Sequence, residues 1–112
     1  MAYVKNEDLL NALLLSHASG KLTEQCHNIF KSIVKQQINK YLVYNKDLHE
    51  EAMEDLCMQK LFRVWHTFKF TADNPFAFFT QIVYNSIILY FMKNDIQYIS
   101  IDQKNEQFNE SD

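Results

Sequence analysis

The sequence predicts an all-α protein, built as a small bundle of about four helices. The chain has a single Gly and a single Pro among its 112 residues, which leaves few positions for hairpins and tight turns. Leu, Ile, Lys, Gln and Glu are frequent, and these residues favour helices joined by short connections. A composition that is 47% apolar and 14% aromatic is enough to fill the core of one small domain.

The first two predicted helices have clear starts and apolar faces. Asn6 is a suitable N-cap for the first helix because acidic residues follow it in the first turn, and Gly20 marks the end. The second helix begins near Thr23 and should run for about five turns. The apolar stripe of the first helix is Leu9, Leu10, Leu13 and Leu14. That of the second is Cys26, Ile29, Phe30, Ile33, Val34, Ile38, Tyr41 and Leu42.

The third predicted helix has an acidic face. Asp47 and Glu50 have the spacing of a capping box, and the helix should continue to about Phe68. Its apolar stripe is Ala52, Met53, Leu56, Leu61, Trp65 and Phe68. The opposite face holds Glu50, Glu51, Glu54, Asp55, Met58, Gln59 and Arg63. A charged face of this kind usually faces solvent, and the more specific hypothesis is an acidic docking strip for a basic partner helix, with Met58 as an adaptable apolar contact.

The fourth predicted helix combines a well-defined start with an uncharged polar face. Asn74 is the expected N-cap and Pro75 the first helical residue, with the helix ending near Met92. Its apolar stripe is Phe79, Ile82, Val83, Ser86, Ile87 and Tyr90, and Phe79 and Ile82 should meet Trp65 and Phe68 of the third helix. The other face carries Ala77, Thr80, Gln81, Tyr84, Asn85 and Ile88. Amides, a hydroxyl and a phenol without charges predict contact with a hydrogen-bonding partner, such as base edges or another backbone.

The C-terminal part differs from the helical region. Residues 96–101 alternate apolar and polar side chains, but no partner strand is evident, so they are expected to pack as an extended arm. Beyond them Phe108 is the only large apolar residue, and the segment 102–112 is expected to be frayed or disordered. The predicted organisation is therefore a helical domain over residues 1–95 and a tail over residues 96–112.

Composition also bears on function. A formal charge of −3 weighs against autonomous nucleic-acid binding, because Lys and Arg supply most of the affinity for phosphates. The sequence has no Gly-rich phosphate loop, nucleophile elbow or paired carboxylates, so we expect no enzyme and no cofactor. The four histidines, which lack metal-ligand spacing, are His17, His27, His49 and His66.

Two further features bear on redox state and location. Cys26 and Cys57 occupy apolar helix positions, which favours buried thiols over a disulfide. No signal peptide or long continuous apolar segment is evident, which predicts a cytosolic protein with no membrane role.

Three blocks of the sequence carry a family resemblance, and the spacing between them fits as well. They are Tyr3-Val4-Lys5-Asn6-Glu7-Asp8-Leu9-Leu10-Asn11-Ala12, then His66-Thr67-Phe68, then Asn74-Pro75-Phe76-Ala77-Phe78-Phe79-Thr80-Gln81 with Tyr84-Asn85. Together they resemble region 2 of the bacterial sigma family, in particular the late-transcription sigma factors of T-even-type phages and their cyanophage relatives. The resemblance covers roughly residues 3 to 95.

The resemblance implies a specificity subunit in an infected bacterial cell, not a catalyst. It would bind the clamp helices of the largest subunit of host RNA polymerase and recognise an A·T-rich element near the start site. The family's docking surface corresponds here to Glu51, Glu54, Asp55, Met58 and Gln59. The positions that read and open the promoter correspond to Phe76, Phe78, Thr80, Gln81, Tyr84 and Asn85. Amides can bond an adenine edge, and an aromatic ring can stack on an unpaired base, although Phe76 and Phe78 equally fit an ordinary core.

The chain departs from the family in three ways. Lys93 is the only cation where relatives have a strongly basic segment, so DNA affinity would be borrowed from polymerase. No helix-turn-helix for an upstream element follows, which agrees with the late-factor type. The motif with which late members bind the sliding clamp is represented only by residues 106–110, which leaves a clamp or co-activator partner open. Two alternatives stay open: a helical adaptor that occupies the sigma site without reading DNA, and a helical protein with unrelated partners.

Overall fold

The computed structural model describes residues 5–71 and 74–101, and within them the predicted all-α bundle is confirmed. The helices are α1 (Asn6–Ser19), α2 (Glu24–Ile38), α3 (Lys46–Val64) and α4 (Pro75–Lys93). Two short strands, β1 (Tyr41–Val43) and β2 (Tyr98–Ser100), and one 3₁₀ turn, Trp65–Thr67, complete the described elements. The segment 102–112 of the predicted tail, with its clamp-motif residues 106–110, lies outside the described residues, as do Tyr3 and Val4 of the first motif block.

Short-range hydrogen bonds join α1 to α2 at the predicted positions. Gly20 has φ 79°, a left-handed conformation that glycine adopts without strain, and its N–H donates to the Ser16 carbonyl at 2.9 Å. The buried Ser16 hydroxyl accepts from the Thr23 N–H at 3.0 Å. Thr23 in turn caps α2, accepting from the Cys26 N–H at 3.2 Å. The predicted end of the first helix and start of the second are thus confirmed.

The start of α4 is held by two asparagines. Asn74 Oδ1 accepts from the Ala77 N–H at 2.9 Å, which confirms the predicted N-cap. Asn6 Oδ1 accepts from the Phe76 N–H, also at 2.9 Å, and Pro75 has no N–H to satisfy. Asn6 was expected to cap its own helix, but Lys5 is the N-cap residue of α1 and makes no side-chain cap. The Asn6 side chain ties α1 to the first turn of α4 instead.

The contact from Asn6 should contribute measurably to stability. Asn6→Ala leaves the Phe76 N–H without its protein acceptor, and we expect a loss of about 1 kcal/mol in the free energy of unfolding, as for other capping residues. Urea denaturation followed by circular dichroism measures this loss. Asn11→Ala, at an exposed position of the same helix, is the matched control and should change stability little. Equal losses in both variants would contradict the capping role.

The core lies where α4 packs against the other three helices. The buried Phe79 ring lies 4.8 Å from the Phe30 ring of α2 and 5.7 Å from Phe68, between ring centroids. The predicted stripes supply most of the core. The largest fully buried side chains are Leu9, Leu13, Phe30, Ile33, Val34, Ile38, Met53, Leu61, Phe79, Val83, Ile87 and Phe91.

Some predicted core positions are wrong. Leu14 and Ala52 are exposed, whereas Ala12 and Cys57 take the buried positions of α1 and α3. Trp65 was expected between the third and fourth helices, but it is half-buried in the 3₁₀ turn, with its ring 5.1 Å from the His17 ring of α1. An apolar stripe defines a face only to within about one residue position, and neighbouring helices decide which side is covered.

The two strands form an antiparallel ribbon that the sequence did not predict. Tyr41 lies opposite Ser100, Leu42 opposite Ile99, and Val43 opposite Tyr98. Tyr41 and Leu42 were expected to continue the second helix, which instead ends at Ile38. The extended conformation predicted for residues 96–101 is present at β2, but the expectation that this segment lacks a strand partner is wrong. The Tyr98 ring stacks on Phe91 with 4.4 Å between centroids, which attaches β2 to α4.

The start of α3 differs from the predicted capping box. Asn45, with φ 58°, precedes the helix and makes no side-chain cap, and Asp47 lies within the first turn. Asparagine tolerates this left-handed conformation better than most residues. The Lys46 ammonium donates to the Tyr41 carbonyl at 3.2 Å. Only Tyr44 and Asn45 separate β1 from α3, so the geometry of this turn sets the start of the helix.

Both cysteines are buried free thiols, as the sequence predicts. Burial raises the pKa of Cys26 to about 11, against a smaller lowering by the hydrogen bond with Ser16. Burial also raises the pKa of Cys57 to about 12, and the negative charge of Glu54 adds to the increase. Both side chains are therefore protonated near neutral pH and behave as small apolar groups.

One helix in the described part of the chain, α4, has the length and apolar content of a membrane span. Core helices of soluble proteins meet the same criteria. In this fold α4 packs on α1, α2 and α3 through its apolar stripe. That packing is compatible with a soluble globule.

Candidate functional site

The outward face of α4 presents a pair of linked amides. Gln81 and Asn85 are exposed one turn apart, and Gln81 Nε2 donates to Asn85 Oδ1 at 3.0 Å. This bond holds the two amides in a fixed relative orientation. Within the described residues, Gln81 Oε1 and Asn85 Nδ2 have no other partner, so one acceptor and one donor face outward. That combination matches the major-groove edge of adenine, which offers one donor and one acceptor.

A groove of about 660 Å³ runs along one side of these amides. Four of the six sequence-predicted DNA-reading residues line it: Phe76, Thr80, Gln81 and Tyr84. The end of α2 and the strand β2 form the opposite wall, through Gln37, Lys40, Tyr98 and Ser100. Its volume lies in the range of about 300–1,000 Å³ that is usual for ligand pockets. The sequence did not identify these wall residues, since they come from segments distant along the chain.

Thr80 lies deep in this groove. Its side chain is half-buried, and Oγ1 is shielded from solvent without a hydrogen-bond partner among the described residues. A buried hydroxyl without a partner costs free energy. Tyr84, which is 45% exposed, adds a phenol at the rim. The groove therefore has polar groups both at depth and at its edge.

The two aromatic candidates at the start of α4 have different surroundings. Both Phe76 and Phe78 are half-buried. Phe76 lines the groove, whereas the Phe78 ring packs 5.4 Å from Phe68 and 4.9 Å from Phe79, between centroids. Phe76 is thus the ring positioned to stack on a groove ligand, and Phe78 has the contacts of a side chain at the edge of the core.

Lys93 lies apart from the other candidates. It is exposed in the last turn of α4, about 25 Å along the helix axis from Phe76 at 1.5 Å per residue. It does not line the groove. Among the described residues, Lys40 is the one Lys or Arg that lines this groove.

The candidate docking strip forms a continuous row on α3. Glu51, Asp55 and Gln59 are exposed at successive turns, and Glu54 and Met58 lie half-buried beside them. No cation among residues 5–71 and 74–101 forms an ion pair with these carboxylates. Their negative charge is therefore available to a basic partner.

A second groove, of about 350 Å³, lies between α3 and α4. It joins the two candidate surfaces, since Gln59 of the docking strip and Asn85 of the amide pair both line it. The remaining lining residues are Leu56, Lys60, Arg63, Ile82, Ser86 and Leu89. Packing of α3 against α4 thus places the docking strip and the amide pair next to each other on the protein surface.

Comparison of the chain with protein-family models, with curated proteins and with solved structures finds no match. The fold and the site define a small helical domain that carries the acidic docking strip on α3 and the uncharged amide pair on α4.

Proposed function

We propose that this protein is a sigma-type specificity factor of the phage late-transcription kind. It binds bacterial core RNA polymerase through α3 and reads A·T-rich promoter DNA through α4. The observation that carries the proposal is the Gln81–Asn85 pair. It presents one hydrogen-bond acceptor and one donor, complementary to the major-groove edge of adenine, beside the larger groove. The motif resemblance over residues 3 to 95 supports the same function. The site of action would be the cytoplasm of an infected bacterium.

The docking step would use the acidic row of α3. The clamp helices that the resemblance implies as partner would need a basic surface to complement Glu51, Glu54 and Asp55. Complementary charges steer encounter and fix orientation, and Met58 adds an adaptable apolar contact within the row. A protein with a net charge of −3 then gains access to DNA because polymerase supplies the positive surface.

The reading step would use α4 and the larger groove. Linked amides select adenine at an exposed base edge, and Phe76 offers a ring on which an unpaired base can stack. Unstacking a base costs a few kcal/mol, so capture of the displaced strand in the groove favours the open duplex.

The decisive experiment combines binding and transcription. Purified protein should co-purify with bacterial core polymerase at low salt, where an acid-to-base contact is strongest, and should direct it to an A·T-rich late promoter. Absence of core binding under these conditions would overturn the proposal. Binding without promoter-directed transcription would favour the adaptor function.

Replacing the linked amides tests the reading step. Gln81→Ala and Asn85→Ala should each reduce discrimination between matched and mismatched promoters by about 1–3 kcal/mol, the value of a good base contact. Promoter competition assays with the assembled holoenzyme measure this discrimination. Gln25→Ala and Asn28→Ala remove exposed amides from α2 and serve as matched controls.

The competing function is a helical adaptor that occupies the sigma site on polymerase without reading DNA. The low positive charge of α4, with Lys93 as its only cation, favours this alternative. An adaptor predicts that the Gln81 and Asn85 variants behave like the α2 controls. A crosslink from α4 to promoter DNA would exclude it.

A further inference from the structure

The smaller groove between α3 and α4 contains a pair of cations next to the amide pair. Lys60 and Arg63 are exposed, lie one turn apart near the end of α3, and line the same groove as Asn85. Neither forms an ion pair within the described part of the chain. No carboxylate lines this groove, whose other polar groups are the amides of Gln59 and Asn85 and the hydroxyl of Ser86.

The two halves of α3 carry opposite charges on their exposed surfaces. The acidic residues of the docking strip lie in its first half, and Lys60 and Arg63 lie in its second half, where they line the same groove as Asn85. Leu56 and Leu89 provide apolar surface along which the long side chains can lie with their charges outward. The groove therefore favours an extended anionic ligand that crosses α4 beside its amides.

We propose that Lys60 and Arg63 bind backbone phosphates of the DNA strand whose bases contact Gln81 and Asn85. This inference rests on the proposed function. It supplies the phosphate contacts that α4 lacks, since its only cation, Lys93, lies in the last turn. The Arg63 guanidinium can bond a phosphate through two parallel N–H groups, and the Lys60 ammonium acts as a point charge.

The test is the salt dependence of promoter binding by the reconstituted holoenzyme. In the Lys60→Gln/Arg63→Gln variant, the slope of log K against log[KCl] should fall by about 0.7–0.9 for each phosphate that the protein no longer neutralises. Affinity should fall on matched and mismatched promoters alike, because phosphates carry no sequence information. Lys31→Gln/Lys35→Gln removes the same charge from the exposed face of α2 and should leave the slope unchanged.

A charge-conserving variant separates an effect on phosphate binding from an effect on folding. Lys60→Arg/Arg63→Lys should retain most of the salt slope, and circular dichroism of all variants should match that of the wild type. Equal slopes for the groove variant and the α2 control would overturn the inference. Weakened core-polymerase binding with an unchanged DNA slope would also overturn it, and would assign the groove to an acidic protein segment. If the wild-type holoenzyme fails to bind promoter DNA, the proposed function fails, and this inference fails with it.

Discussion

Exchange of Glu51 and Asp55 for lysine should release the protein from bacterial core polymerase while leaving its fold intact. Both side chains are exposed one turn apart on α3, so the substitution reverses the charge of the docking row without disturbing the core. Close charge pairs across interfaces have coupling energies of roughly 1.5–7 kcal/mol, and reversal adds repulsion to the loss of attraction. We expect binding to weaken by at least about 3 kcal/mol, or roughly a hundred-fold.

The measurement is a titration of core polymerase with labelled protein at two salt concentrations. The difference between wild type and variant should shrink as salt rises, because screening weakens exposed charge interactions. Glu7→Lys/Asp8→Lys makes the same change in net charge on α1 and serves as the control. That control should cost up to about 1 kcal/mol of stability per residue through the helix dipole, yet retain polymerase binding. Unchanged binding by the α3 variant would remove the docking assignment.

Truncation of Phe79 to alanine should remove a large part of the stability of the domain. The side chain is fully buried at the centre of a ring cluster, with Phe30, Phe68 and Phe78 all within 6 Å between centroids. Phe→Ala changes in cores cost about 3–5 kcal/mol, which combines lost burial with the cavity left behind. Small domains have only about 5–15 kcal/mol in total, so this variant should be partly unfolded at physiological temperature.

Chemical denaturation followed by tryptophan fluorescence and circular dichroism measures the loss. Phe62→Ala is the matched control, because Phe62 is 47% exposed on α3, with its ring centroid 5.5 Å from that of His27. We expect it to cost about 1 kcal/mol or less, as at other exposed positions. If the two variants lose equal stability, the position of Phe79 at the centre of the core is wrong.

Phe79 also connects stability with the candidate site. It shares α4 with Thr80 and Gln81, whose side chains project on the other side of the helix into the larger groove. A buried ring on one face therefore fixes the rotation of the helix about its axis, and this rotation sets where the amides point. Phe79 variants should consequently lose promoter reading together with stability, since the amides depend on the packing beneath them.

The DNA-reading face of α4 could be predicted from the sequence because helical periodicity is local. The positions of Gln81 and Asn85 follow from the start of α4 at Asn74 and Pro75, together with a period of 3.6 residues. The residues that surround this face could not be predicted from the sequence. Tyr98 and Ser100 line the larger groove because β2 pairs with β1, and the alternation of residues 96–101 does not show which distant segment is the partner strand.

By itself, the sequence determined the four helices, most of their buried faces, the start of α2 near Thr23 and the cap at Asn74, because each depends on residues within a turn or two. Tertiary structure alone decided three other features. It ended α2 at Ile38 so that Tyr41 could enter a strand, directed Asn6 to the first turn of α4, and placed Lys60 and Arg63 beside Asn85. Each of these depends on groups far apart along the chain, whose approach is fixed by the packing of the helices around Phe79.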